Sequence, residues 1–141
     1  MRKLLLVLLC TVVPALTQAD EVWESTRGRV VYETDLAATA IWSYRSQYTV
    51  GLIHIAGLAG IYQNRGTYEA YWVQNNSKER CDTLRPTQNR ATSPYWGRIH
   101  ITFLDKKFPF RWEAKWSYCN EPMQQTLWKG QPVTRFSELT K

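Results

Sequence analysis

Residues 110–118 read Phe110, Arg111, Trp112, Glu113, Ala114, Lys115, Trp116, Ser117 and Tyr118. Aromatic or small apolar residues alternate here with Arg, Glu, Lys and Ser. A β-strand turns successive side chains to opposite faces, so this spacing puts Phe110, Trp112, Ala114, Trp116 and Tyr118 on one face and the polar residues on the other. The stretch is therefore predicted to be a half-buried strand. Trp96 to Leu104 obeys the same period, with Ile99, Ile101 and Phe103 in one phase and Arg98, His100 and Thr102 in the other. Asp105, Lys106 and Lys107 between the two segments predict a hairpin turn.

Working outward, Tyr68, Ala70 and Trp72 alternate with Thr67, Glu69 and Tyr71 in the run Thr67 to Gln74, which follows a turn at Asn64, Arg65 and Gly66. Arg29 to Thr34, Ala38 to Tyr44 and Thr49 to Ile55 are rich in Val, Ile, Tyr, Trp and Thr, the residues that fit a pleated surface. No stretch after residue 19 carries a helical stripe. Gly51, Gly57, Gly60 and Gly66 read as turn and bulge glycines, since no Gly-x-x-x-x-Gly-Lys run is present for a phosphate. Seven or eight short strands joined by turns predict an all-β fold, a small antiparallel β-barrel of about eight strands, calycin-like in plan. An open β-sandwich is the alternative. The barrel is favoured because these aromatic strands hold few charges mid-strand to protect exposed edges, and closure removes the edges.

The chain has 141 residues and a net charge of +6. Arg2 and Lys3, the apolar run Leu4 to Val13, Pro14 and the end Leu16, Thr17, Gln18, Ala19 have the layout of a secretory signal peptide, with cleavage expected after Ala19. The run is too short for a spanning helix, which needs about 20 apolar residues, so stable membrane insertion is not expected. The reading divides the chain into a signal at 1–19, a barrel domain at 20–130 and a tail at 131–141, in the periplasm or secreted. Losing Arg2 and Lys3 lowers the charge from +6 to +4, and the arginines form no block, so a nucleic-acid partner is not indicated. Cys10 leaves with the signal. Cys81 and Cys119 remain, and in an oxidising compartment they can pair in only one way. Two unpaired core thiols are the competing reading. Asn75 to Ser93, polar and with Pro86 inside it, reads as a long loop pinned at Cys81.

Trp23, Glu24, Ser25, Thr26, Arg27, Gly28 at the start, then Gly57 to Gly60, Gly66 to Trp72, Trp96, Gly97, Arg98, and Trp128, Lys129, Gly130 at the close make a recurring pattern. It resembles small secreted bacterial β-barrel proteins of uncharacterised function, built from hairpins with Gly-x-Tyr or Gly-x-Trp motifs. The resemblance implies a barrel over residues 23–130 and transfers no active site.

Seven tryptophans suit both a barrel core and a binding mouth, because each couples a large apolar area to one N–H that wants a partner. Trp112 and Trp116 are in phase with Phe110 and are expected in the core. Trp96 is out of phase with Ile99, so Tyr95 and Trp96 are the candidates for an exposed stacking platform, and with Tyr71 and Trp72 they make up the expected ligand-binding set. His54 and His100 lack a positioned nucleophile nearby in sequence and read as ordinary strand histidines. No cofactor or metal is expected, since neither cysteine has a second Cys or His at ligand spacing. The leading function is an exported, non-enzymatic binding module for a small ligand, a glycan or an envelope protein. One alternative is a structural or inhibitory protein that docks onto an envelope partner through the 75–93 loop. The other is a glycan hydrolase using Glu69 with Glu113 or Asp82 as paired carboxylates.

Overall fold

The computed structural model describes residues 21–45, 49–88 and 90–133; the signal-like segment lies outside them. Among these described residues there are ten strands: β1 (Val22–Ser25), β2 (Gly28–Leu36), β3 (Thr39–Arg45), β4 (Val50–Ala56), β5 (Thr67–Gln74), β6 (Arg85–Pro86), β7 (Thr92–Ser93), β8 (Tyr95–Phe103), β9 (Trp112–Trp116) and β10 (Trp128–Pro132). Eight of them close into an antiparallel barrel in the order β1-β10-β9-β8-β5-β4-β3-β2, so each barrel strand pairs with the next one along the chain. Closure leaves no open edge, which answers the aggregation hazard of such aromatic strands. β6 and β7 form a separate two-stranded piece within the 75–94 segment. β10 runs through Pro132, and Val133 N–H donates to the Val22 carbonyl, so the barrel extends past residue 130, where the tail was expected to begin.

The two-residue period decides the interior. Trp23, Val30, Tyr32, Ala40, Trp42, Ile53, Ile55, Ile99, Ile101, Phe103, Trp112 and Ala114 point inward and form one core. Its centre is a run of indoles: Trp23 and Trp42 have ring centroids 4.5 Å apart, Trp42 and Trp112 5.6 Å, and Trp112 and Trp128 5.9 Å. A barrel of eight strands has an interior about wide enough to be filled by side chains, and here rings fill most of it.

Three aromatic residues lie directly across a ladder from a glycine: Tyr44 from Gly51, Trp72 from Gly97, and Trp112 from Gly130. In each pair the ring lies where a β-carbon on the glycine would be. Gly51 is therefore a packing glycine inside β4, whereas Gly57 and Gly60, with φ of 81° and 75°, are the turn glycines expected.

One end of the barrel is plugged. Arg65, in the loop before β5, is buried and donates through both terminal nitrogens to the two carboxylate oxygens of Glu21, each at 2.7 Å, and through Nε to the Ile61 carbonyl. Its guanidinium carbon is 4.4 Å from the centre of the Phe110 ring and 5.1 Å from that of Phe103, with Leu58 fully buried at the same end.

A second, smaller core lies on the outer wall. Leu52, Val73 and Trp96 are on the outward phase of β4, β5 and β8, and the 75–94 segment folds over them, bringing Cys81 against them. Cys81 and Cys119 form a disulfide, as expected. Such a bond is consistent with an oxidising, extracytoplasmic compartment. Backbone N–H groups of Cys81 and Cys119 donate to the carbonyls of Pro94 and Trp96, so the staple sits at the start of β8.

Candidate functional site: an aromatic mouth opposite the plug

The β1–β2 turn, the ends of β3, β5 and β9 and the start of β10 meet at the barrel end opposite Arg65. They surround a cavity of about 470 Å3 lined by Arg27, Tyr44, Thr49, Trp72, Gln74, Asn76, Ser77, Lys78, Trp116, Tyr118 and Trp128. This volume falls in the range of about 300–1,000 Å3 usual for small-molecule sites.

Each aromatic ring is held by its neighbours. Trp116 and Tyr118 meet edge to face at 5.1 Å, Tyr44 and Trp128 at 5.0 Å, and Trp72 and Tyr118 at 6.0 Å. Trp72 Nε1 donates to the Ser117 carbonyl at 2.9 Å and Trp128 Nε1 to Ser25 Oγ at 2.8 Å. These bonds fix two indole planes. Trp116 Nε1, by contrast, is buried without a hydrogen-bond partner. Gln74 Nε2 donates to the Tyr44 hydroxyl, and burial pushes the Tyr44 pKa up, so the phenol stays protonated.

Arg27 stands over this floor, its guanidinium carbon 4.0 Å from the Trp116 ring centre and 5.9 Å from that of Trp128. The negative face of an indole attracts a cation. Partial burial lowers the Arg27 pKa, the mark of a cation losing water.

The structure separates the four residues expected to bind ligand. Trp72 belongs to the mouth. Trp96 does not form an exposed platform: it is 1% exposed, lies in the outer-wall core, and donates through Nε1 to the Thr83 carbonyl at 2.8 Å. The phase analysis placed it correctly outside the barrel; the disulfide-held segment then covers it. Tyr95, opposite Gln74, is half-buried and lines neither the mouth nor the outer groove. Tyr71 faces outward and stacks on His54, centroids 4.6 Å apart and planes 13° apart. These two rings lie in a shallow groove between the wall and the 85–90 stretch, with Arg85, Arg90 and Arg98 around it. Sequence reasoning missed Arg27, Trp116, Trp128 and Tyr44 as mouth residues. The available signal is their position: Tyr44, Trp116 and Trp128 are at or next to strand ends and Arg27 is in the β1–β2 turn, and antiparallel pairing sends all four to the same end.

The histidines and the expected carboxylate pair, His54, His100, Glu69 and Glu113, are on the outer wall. Glu69 pairs with His100 across β5–β8, with oxygen and nitrogen 3.7 Å apart, and its side chain is 89% exposed. Glu113 is opposite Thr102 on the far side of β8. Glu69 and Glu113 thus flank β8 on a convex surface; Glu69 lines the outer groove and Glu113 does not. Among the described residues, no group of three or more His, Cys, Asp or Glu could hold a metal ion.

The chain matches no protein-family model, no curated protein and no solved structure.

Proposed function

We propose that this chain is an exported binding protein that takes a small, flat, largely apolar ligand into the mouth formed by Tyr44, Trp72, Trp116 and Trp128. The observation that carries this reading is the contrast between the two ends of the barrel. One is closed by a buried Arg65–Glu21 pair among aromatic rings, while the other holds a cavity of about 470 Å3 floored by indoles. The four rings around this cavity are only 3–7% exposed, so they are fixed walls, and a concave cavity lined by aromatic rings with a few polar groups is the form a small-molecule site takes. Rings fixed by neighbours and hydrogen bonds lose little freedom when a ligand stacks on them, which lowers the cost of binding. The histidines and the candidate carboxylate pair lie away from this mouth, which favours binding over catalysis as its role.

Titration of the chain without residues 1–19 with the neutral fluorescent probe N-phenyl-1-naphthylamine tests the reading. One saturable site per chain is expected. Asn76→Trp, which fills the mouth from its rim, is expected to abolish it, and Thr87→Trp, which fills the outer groove, to leave it unchanged. Absence of saturable binding, or loss with Thr87→Trp alone, would overturn the assignment.

A further inference from the structure

The charge around the mouth narrows the kind of molecule it accepts. Its lining includes two cations, Arg27 and Lys78, and no carboxylate. Neither cation forms an ion pair among the described residues, whereas Arg65 at the other barrel end has a bidentate one. Arg27 instead has π faces beneath it, 4.0 Å to Trp116 and 5.9 Å to Trp128. A guanidinium held over rings in this way keeps its N–H donors free of side-chain partners among the described residues, and a guanidinium fork can receive a carboxylate or another planar oxyanion through two parallel bonds. The N–H groups of Trp72 and Trp128 are already engaged, so the charged donors this cavity offers are Arg27 and Lys78.

We infer that the ligand of this mouth is an organic anion, a flat apolar body ending in a carboxylate that pairs with Arg27. The inference rests on the mouth being a ligand site and adds the charge class. The ring system occupies the cavity between the aromatic walls, and the carboxylate meets Arg27 at the rim. Lys78 contributes long-range attraction from the same rim. A cationic ligand would meet two like charges with no carboxylate in the lining, so the site disfavours it by repulsion.

Calorimetric titration of the same chain with 2-naphthoate, 2-naphthylmethanol and 2-naphthylmethylammonium tests this, because the three share one ring body and differ only in charge. The expected order is naphthoate tighter than the alcohol by about tenfold, the scale of one charge-assisted hydrogen bond, with the ammonium weakest. Arg27→Gln is expected to bring naphthoate down to the affinity of the alcohol while the alcohol changes by less than about twofold. Arg27→Lys, which keeps the charge and loses the fork, is expected to restore part of the preference. Equal affinity for naphthoate and alcohol, preference for the ammonium, or an unchanged preference in Arg27→Gln would overturn the anion assignment and leave the mouth as a neutral-ligand site. Failure of all three to bind would instead overturn the mouth itself.

Discussion

Trp72 lies directly across the β5–β8 ladder from Gly97, and its indole occupies the space that a β-carbon on Gly97 would need. The same β-carbon would overlap the carbonyl oxygen of Ser117, the acceptor for Trp72 Nε1. Backbone cannot yield as a flexible side chain can. Gly97→Ala is therefore expected to destabilise the fold by about 3 kcal/mol or more, beyond the range of ordinary overpacking. Gly66→Ala is the control, because a β-carbon at Gly66 meets nothing within 4 Å. It is expected to be neutral or to stabilise by up to about 1 kcal/mol through the unfolded chain. Urea unfolding of the two variants measures both, and equal losses would refute the packing argument.

The plug gives a second prediction. Glu21 and Arg65 have side-chain exposures of 11% and 0%, so removing one partner leaves the other charged group buried and alone. Glu21→Ala or Arg65→Met alone is expected to cost about 3–5 kcal/mol, whereas the double substitution should cost clearly less than the sum of the two. A double-mutant cycle on unfolding free energies provides the check. Additive losses would mean that Arg65 acts mainly through its contacts with Phe103 and Phe110 rather than through the ion pair.

The disulfide does two things that can be measured apart. It closes a loop with a sequence separation of 38, which the chain-entropy relation values at about 4 kcal/mol, and it holds the 75–94 segment over Trp96. Cys81→Ala with Cys119→Ala is expected to lower the urea midpoint while the far-ultraviolet dichroism of the barrel persists in water. Trp96 should then become accessible to acrylamide, seen as extra quenching that disappears when Trp96→Phe is added. Unchanged quenching would show that the outer-wall core holds the segment without the bond.

The barrel itself was legible because strand parity is local. Phe110, Trp112, Ala114 and Trp116, and likewise Ile99, Ile101 and Phe103, are buried on the face that alternation assigns them, and the one cysteine pairing available is the one formed. Parity also sent Trp96 outward. What alternation cannot specify is whether a distant segment folds back over an outward residue, so it points to a platform at Trp96 where the structure has a covered side chain. A trace of the answer was present: Leu52, Val73 and Trp96 place apolar side chains in the outward phase of three strands, a patch that needs cover. Arg65 and Arg27 are harder. Both are in turns and read as solvated charges; their roles come from Glu21, 44 residues away from Arg65, and from Trp116 and Trp128 on other strands, and no local pattern records such partners.

His54 links the outer wall to pH. Its ring is stacked on Tyr71, its Nε2 is buried without a partner, and burial lowers its pKa below the ordinary histidine value. The unfolded chain therefore takes up this proton at a higher pH than the folded one, so protonation favours unfolding. The stability tied to neutral His54 is fully present above pH about 6.5 and is lost as the pH falls through the folded pKa. His54→Phe keeps a ring against Tyr71 and removes the proton. Its unfolding free energy is expected to decline less between pH 7 and 5 than that of the parent chain, and the His54 resonance of the parent should titrate below the midpoint of a free histidine. His100 is unchanged in both proteins, so parallel stability profiles would show that His54 is not the group responsible.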